Sequence, residues 1–198
     1  MACGVGRLAS YPVRFGRLTI GAGSVVEFRG EAIVNAANEG GVFGGGVDGA
    51  INSRGGPSLI KARQNLPIVQ GENVRIPTGE ARTTSAGDLD ASWIHAVGPN
   101  YNLLDDEDTG DELLFQAYRS AMLQARDKSI STVGFSLLSA GIFRGSRPLS
   151  EVLKIGLLAV EANVYPALEE VFLVAFTERE VRHASRDRGP YRTNVLTF

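Results

Sequence analysis

The sequence has little of what many functional classes require. Cys3 is its only cysteine, so no disulfide can close within the chain and no cysteine-based metal site can form. It has two histidines, His95 and His183, far apart in sequence, and no acidic cluster has metal-ligand spacing; no catalytic metal and no cofactor are expected. Charge is nearly balanced, with a net of −2, and basic residues do not interleave with aromatics, so direct nucleic-acid binding is not expected. No apolar run is long enough to span a bilayer and no signal-peptide pattern opens the chain. The expectation is a protein without membrane contact in the cytoplasm or nucleus.

Glycine is what the sequence has in excess. The 24 glycines in 198 residues are well above the usual ~7%, and they cluster without a repeat. Clustered glycine in an otherwise well-mixed sequence marks backbone that takes positive φ or approaches something closely.

The chain alternates short β-branched runs with helical stretches. Val13–Ile20, Glu31–Asn35, Arg82–Thr84, Trp93–Val97, Ser131–Leu138 and Val171–Phe176 read as strands. Ser24–Phe28 reads as a turn of helix, and helices are expected over Val47–Arg54, from Pro57, over Glu112–Asp127 and over Leu149–Val160. The acidic run 104–112 reads as a solvated loop. This order predicts a mostly parallel sheet with helices on both faces, and ligands in such sheets sit beyond the carboxyl ends of strands.

Two small-residue loops follow predicted strands. Asn35–Gly49 (NAANEGGVFGGGVDG) runs from a buried strand into a helix near Val47, and Gly44–Gly46 would let a phosphate reach the amides of the helix start. It is neither a Walker loop nor a GxGxxG fingerprint. Ser139–Gly145 (SAGIFRG) is the second loop, and the two should meet at one sheet edge. Asn35 and Asn38 at a strand end could equally satisfy turn backbone, and Asp48 could simply favour the helix dipole. Phe176 in an apolar strand would be core in most proteins, and His95 reads as a strand residue with a satisfied imidazole.

AIVNAANEG…GGGVDGAI (32–51), GGP (55–57), PTGEA (77–81), WIHAVGP (93–99) and SAGIF (139–143) resemble, in order, the signatures of a macrodomain, closest to the MacroD-type ADP-ribosylhydrolases. The resemblance covers roughly residues 13–182. It implies a three-layer α/β/α sandwich with a central mixed, mostly parallel sheet, with residues 1–12 an N-terminal extension, 13–184 the domain and 185–198 a tail. It implies binding of ADP-ribose and hydrolysis of mono-ADP-ribose from acidic residues of modified proteins, or of O-acyl-ADP-ribose; the alternative is a non-catalytic ADP-ribose reader. Asn38 and Asp48 would serve the distal ribose, with Asp48 orienting or activating the attacking water. Asn35, Ala37, Gly45, Gly46 and Val47 would line one side of the ligand and Ser139, Ala140, Gly141, Ile142 and Phe143 the other. Phe176 would stack on adenine, beside Ser24 and Val25.

Three positions leave the family pattern. Ser24 stands where an aspartate usually accepts the adenine amino group, so adenine recognition is altered. Asn52 replaces a histidine after GAI. Arg144-Gly145-Ser146 replaces a glycine-aromatic-proline pattern, with Arg144 either on a phosphate or in solvent.

Overall fold

A computed structural model describes residues 4–88 and 91–186. Seven strands form one sheet in the order β1-β2-β7-β6-β3-β5-β4. They are β1 (Gly6–Pro12), β2 (Arg17–Ala22), β3 (Ala32–Ala36), β4 (Ala81–Thr84), β5 (Ser92–Ala96), β6 (Thr132–Ser136) and β7 (Glu170–Ala175). The inner pairings β2–β7, β7–β6, β6–β3 and β3–β5 are parallel, whereas the outer pairs β1–β2 and β4–β5 are antiparallel. The sheet is therefore mixed and mostly parallel.

Period-two alternation along the strands sorts side chains to two faces. Ala32, Val34, Ile94, Ala96, Val133 and Phe135 point to one face, where α2 (Glu107–Asp127), α3 (Leu149–Ala162) and α4 (Glu178–Arg186) cover them. Ile33, Trp93, Phe172 and Val174 point to the other, under α1 (Gly46–Gln64) and the 3-10 turn Val25–Glu27. This is the α/β/α sandwich. The buried stripe of α2 runs Leu114, Ala117, Tyr118, Ala121, Met122 and Ala125, the spacing that faces a helix onto a sheet.

Several boundaries differ from the sequence reading. Gly6–Pro12, expected as an extension, is the antiparallel edge strand of the sheet. Its seven residues lack β-branched alternation and carry a register shift between Arg7 and Ala9, so nothing local announces a strand. The strand expected over Val13–Ile20 begins at Arg17, because 13–16 form the hairpin turn, closed by Val13 N–H on Gly16 O at 3.3 Å. The acidic run is not all loop. Asp106 caps α2 by accepting from the amides of Asp108 and Thr109, and Glu107 and Asp108 fill the first turn, where negative charge meets the helix dipole. The two helices expected around Pro57 are present as the two halves of α1, separated at Gly56, whose φ of 67° no helix contains. At the other end α4 continues to Arg186, past the expected boundary at 184; residues 187–198 of the expected tail lie outside the described residues. Among the described residues no helix is long and apolar enough to cross a membrane.

Candidate functional site

Strand order determines what the loops can form together. β2, β7, β6 and β3 are adjacent and parallel, so the segments leaving their carboxyl ends line one edge in that order. Those segments are Gly23–Val25, Phe176, Ser139–Gly145 and Ala37–Val47. Ser24 and Phe176 therefore stand at one end of this edge and the glycine loop at the other, and the edge between them is the candidate cleft.

At the first end, Ala22 and Ala175 are partners in the β2–β7 register, so Ser24 and Phe176 leave adjacent strands side by side. The hydroxyl of Ser24 makes no capping bond to the turn that it precedes. Phe176 is 62% exposed, a ring on the surface and not in the core. It is held there by a capping box. Glu180 accepts from the amides of Phe176 and Thr177 at 2.7 and 2.9 Å, while Thr177 Oγ1 accepts from Glu180 N–H at 3.1 Å. Val25 is buried among Phe28, Ile51 and Phe172, so its side chain packs the core.

In the middle, two backbone segments face open space. A Cβ built at Gly45, Gly46 or Gly141 would have no atom within 4 Å. Gly45 starts α1 with no side-chain cap, and Gly141 likewise starts the 3-10 turn Ile142–Arg144. Uncapped amides at two glycine turns suit an anion. Gly46 holds φ at 58°, a conformation that glycine adopts at no Cβ cost. Ser139 also has positive φ, 52°, and is fixed by its Oγ donating to Pro99 O at 2.8 Å. Ala140 is buried, Phe143 half-buried and Ile142 89% exposed over the cleft rim. Arg144 takes neither expected position, because its guanidinium donates to Arg147 O within the loop. Arg147 in turn ties the loop to α2 through a bidentate pair with Asp111 and a third contact, to Glu107 at 2.8 Å.

At the far end the glycine loop is built on a buried polar chain. Asn38 is half-buried and braces the loop: its Nδ2 donates to Phe43 O and its Oδ1 accepts from Gly41 N–H at 3.1 Å. Ala37 is buried and hydrogen-bonds to Ala96 O at 3.0 Å. Val47 packs on the α1-side core. Asn35 is fully buried, so it supports the cleft from beneath. Its Nδ2 donates both to Asp48 Oδ1 and to His95 Nδ1, the latter at 3.1 Å. Asn35 and His95 are neighbours in the β3–β5 register and face α1 together. Thr84 Oγ1 lies 2.9 Å from His95 Nε2 and spends its own proton on Ser85 O, so His95 is a neutral imidazole protonated at Nε2. Burial, aided by the nearby charge of Arg63, pushes His95 down to about 3. As read from sequence, it is a satisfied strand residue and not a base.

Asp48 is buried beneath the loop. Its Oδ1 also meets Arg63 Nη2 at 2.8 Å, while Oδ2 is buried without a hydrogen-bond partner, against Gly44, where a Cβ would come within 2.4 Å of it. Arg63 escaped the sequence reading. The signal that could have found it is its place four residues after buried Leu59, on the core side of the helix, where a charge needs a partner. Burial lowers the Arg63 guanidinium and the Asp48 carboxylate raises it again. Among the described residues no group of three or more His, Cys, Asp or Glu side chains is gathered to hold a metal ion.

The chain matches known proteins in sequence as well as in fold. Residues 34–155 match the Macro domain family. The chain belongs to the macrodomains. It is 37% identical over 174 residues to the Streptomyces nogalater "Macro domain-containing protein in sno 5'region", covering 87% of this chain and 92% of that protein. It is 32% identical over 171 residues to an O-acetyl-ADP-ribose deacetylase of Escherichia fergusonii, covering 86% of this chain and 94% of that one. Such relatives place this macrodomain with the MacroD-type branch. Among solved structures it is similar to the Oceanobacillus iheyensis macrodomain with ADP, at TM-score 0.80 and 31% identity, covering 90% of this chain and 93% of that chain. The Trypanosoma brucei macrodomain in complex with ADP-ribose follows at TM-score 0.73 and 29% identity, covering 87% and 69%.

Proposed function

We propose that this macrodomain binds ADP-ribose along the cleft and hydrolyses its acyl esters, either mono-ADP-ribosylated acidic side chains of proteins or O-acyl-ADP-ribose. The observation that carries the reading is the pair of uncapped, unobstructed turns at Gly45–Gly46 and Gly141, which leave room and donors for a diphosphate midway between Phe176 and Asp48. With the diphosphate there, adenine lies at Ser24 and Phe176, and the distal ribose at Asn38 and Asp48. For an ester at the anomeric carbon, a water attacking that carbon breaks its bond to the acyl oxygen, the carboxylate leaves and the water's proton passes to Asp48. For an acyl group on another hydroxyl of the ribose, the water attacks the acyl carbonyl carbon instead, and Asp48 passes the proton to the departing sugar oxygen. The unpartnered Oδ2 is the oxygen available for that role. The site supplies position and a fixed field, with no covalent intermediate. Complexes of neighbours with ADP and ADP-ribose and the deacetylase relatives support the assignment.

A second reading, a reader without turnover, is favoured by one fact: Asp48 Oδ1 is shared by Asn35 and Arg63 inside the protein. Kinetics on O-acetyl-ADP-ribose separate the two. Hydrolysis by the wild type that is lost in Asp48→Ala supports the enzyme; calorimetric ADP-ribose binding with no hydrolysis leaves the reader. Failure to bind ADP-ribose removes both.

A further inference from the structure

Arg63 and Asp48 belong to the same helical element, fifteen residues apart, yet their side chains meet at 2.8 Å. On a straight helix that separation is about 22 Å, well beyond the reach of an arginine. The contact exists because α1 breaks at Gly56, with φ 67° and ψ −170°, just before Pro57. The break lets the second helical segment leave the line of the first, so that Arg63 meets Asp48.

Arg63 is fully buried, and its guanidinium makes two hydrogen bonds and one ion pair. Nε donates to Gly41 O at 2.6 Å, Nη1 to Asn52 Oδ1 at 2.5 Å, and Nη2 meets Asp48 Oδ1. Asn52 passes the tether on, donating to Val42 O at 3.0 Å. One planar fork therefore fixes the Asp48 carboxylate and two successive carbonyls of the glycine loop. None of these bonds involves Gly45–Val47 or Ser139–Phe143, the segments assigned to the diphosphate.

We infer that Arg63 is a positioning residue of this cleft: it orients Asp48 so that Oδ2 faces Gly44, and it holds the Gly41–Val42 turn beside Asn38. This rests on the hydrolase reading for its kinetic consequence and on the geometry alone for its structural one. Buried arginine is suited to the task because its donors are fixed in one plane, whereas lysine offers a single nitrogen. Lysine at this position can keep the charge beside Asp48 but cannot reach Gly41 O and Asn52 Oδ1 as well.

The test uses the full chain with Arg63→Lys, Arg63→Met and the double variant Arg63→Met/Asp48→Asn. Arg63→Lys is expected to fold, to bind ADP-ribose within threefold of wild type, and to lose at least tenfold in kcat on O-acetyl-ADP-ribose with KM nearly unchanged. Arg63→Met is expected to melt lower than wild type, and the double variant to regain much of the loss, since no buried charge is then left alone. A wild-type kcat in Arg63→Lys overturns the inference, as does a double variant no more stable than Arg63→Met. If the wild type itself hydrolyses nothing, the proposed activity fails separately. Amide exchange over residues 41–49 then decides: exchange at least tenfold faster in Arg63→Lys supports positioning, and unchanged exchange refutes it.

Discussion

Acid should destabilise this protein through one identifiable group. His95 is 0% exposed, accepts from Asn35 at Nδ1 and donates from Nε2 to Thr84. Burial penalises the charged imidazolium, and the nearby charge of Arg63 adds to the penalty, so its value falls from 6.5 to about 3. Above pH 6.5 neither the folded nor the unfolded chain holds this proton, so His95 makes no pH-dependent difference. As pH falls below 6.5 the unfolded chain takes up the proton and the folded chain does not, until about pH 3. Stability is therefore lost through that window, at about 1.4 kcal/mol per pH unit. Between pH 7 and pH 4.5 the loss comes to roughly 2.5 kcal/mol, a large part of the 5–15 kcal/mol that holds a typical domain. His95→Gln keeps one acceptor and one donor without the titration. Urea unfolding of both proteins at pH 7 and pH 4.5 isolates the group: the wild type should lose roughly 2.5 kcal/mol more than the variant over that range. The imidazole resonances of His95 should show no titration down to pH 4.5. Equal acid losses in the two proteins, or a His95 resonance that titrates near pH 6, would refute the reasoning.

Other consequences follow from the same geometry. Ser24→Asp should tighten ADP-ribose by about two- to thirtyfold in calorimetry, since a charged acceptor is worth ~1.5–3 kcal/mol against ~1 for a neutral one; unchanged affinity would remove Ser24 from the adenine. Gly46→Val should lose at least tenfold in ADP-ribose affinity, because the new side chain occupies the open space between the turns. It should also lower stability by ~1–2 kcal/mol, the cost of a left-handed β-branched residue, measured by urea denaturation.

The parts of the fold legible in sequence were those written in local pattern. The compact apolar run at 31–35 and the run 131–138 read as inner strands, and the small-residue segments after them read as the two loops. β1 was not legible, because an edge strand needs a hairpin partner more than a pattern of its own. The Gly56 break was half legible: Pro57 suggested a second helix, but the meeting of residue 63 with residue 48 is a tertiary event. The same holds for the Thr84–His95–Asn35–Asp48–Arg63 chain, whose members come from β4, β5, β3 and both halves of α1 and meet only once strand register is set. Phe176 stood at the end of an apolar run, and only the strand ending at Ala175 and the capping box after it leave the ring on the surface.

The central claim is that the cleft turns over an acyl ester of ADP-ribose with Asp48 at the reacting end. It is tested most directly by quantifying ADP-ribose released from a glutamate-ADP-ribosylated protein by the wild type and by Asp48→Ala. The account predicts release by the wild type and its loss in the variant. Equal release by both, or none by a wild type that binds ADP-ribose, would contradict it.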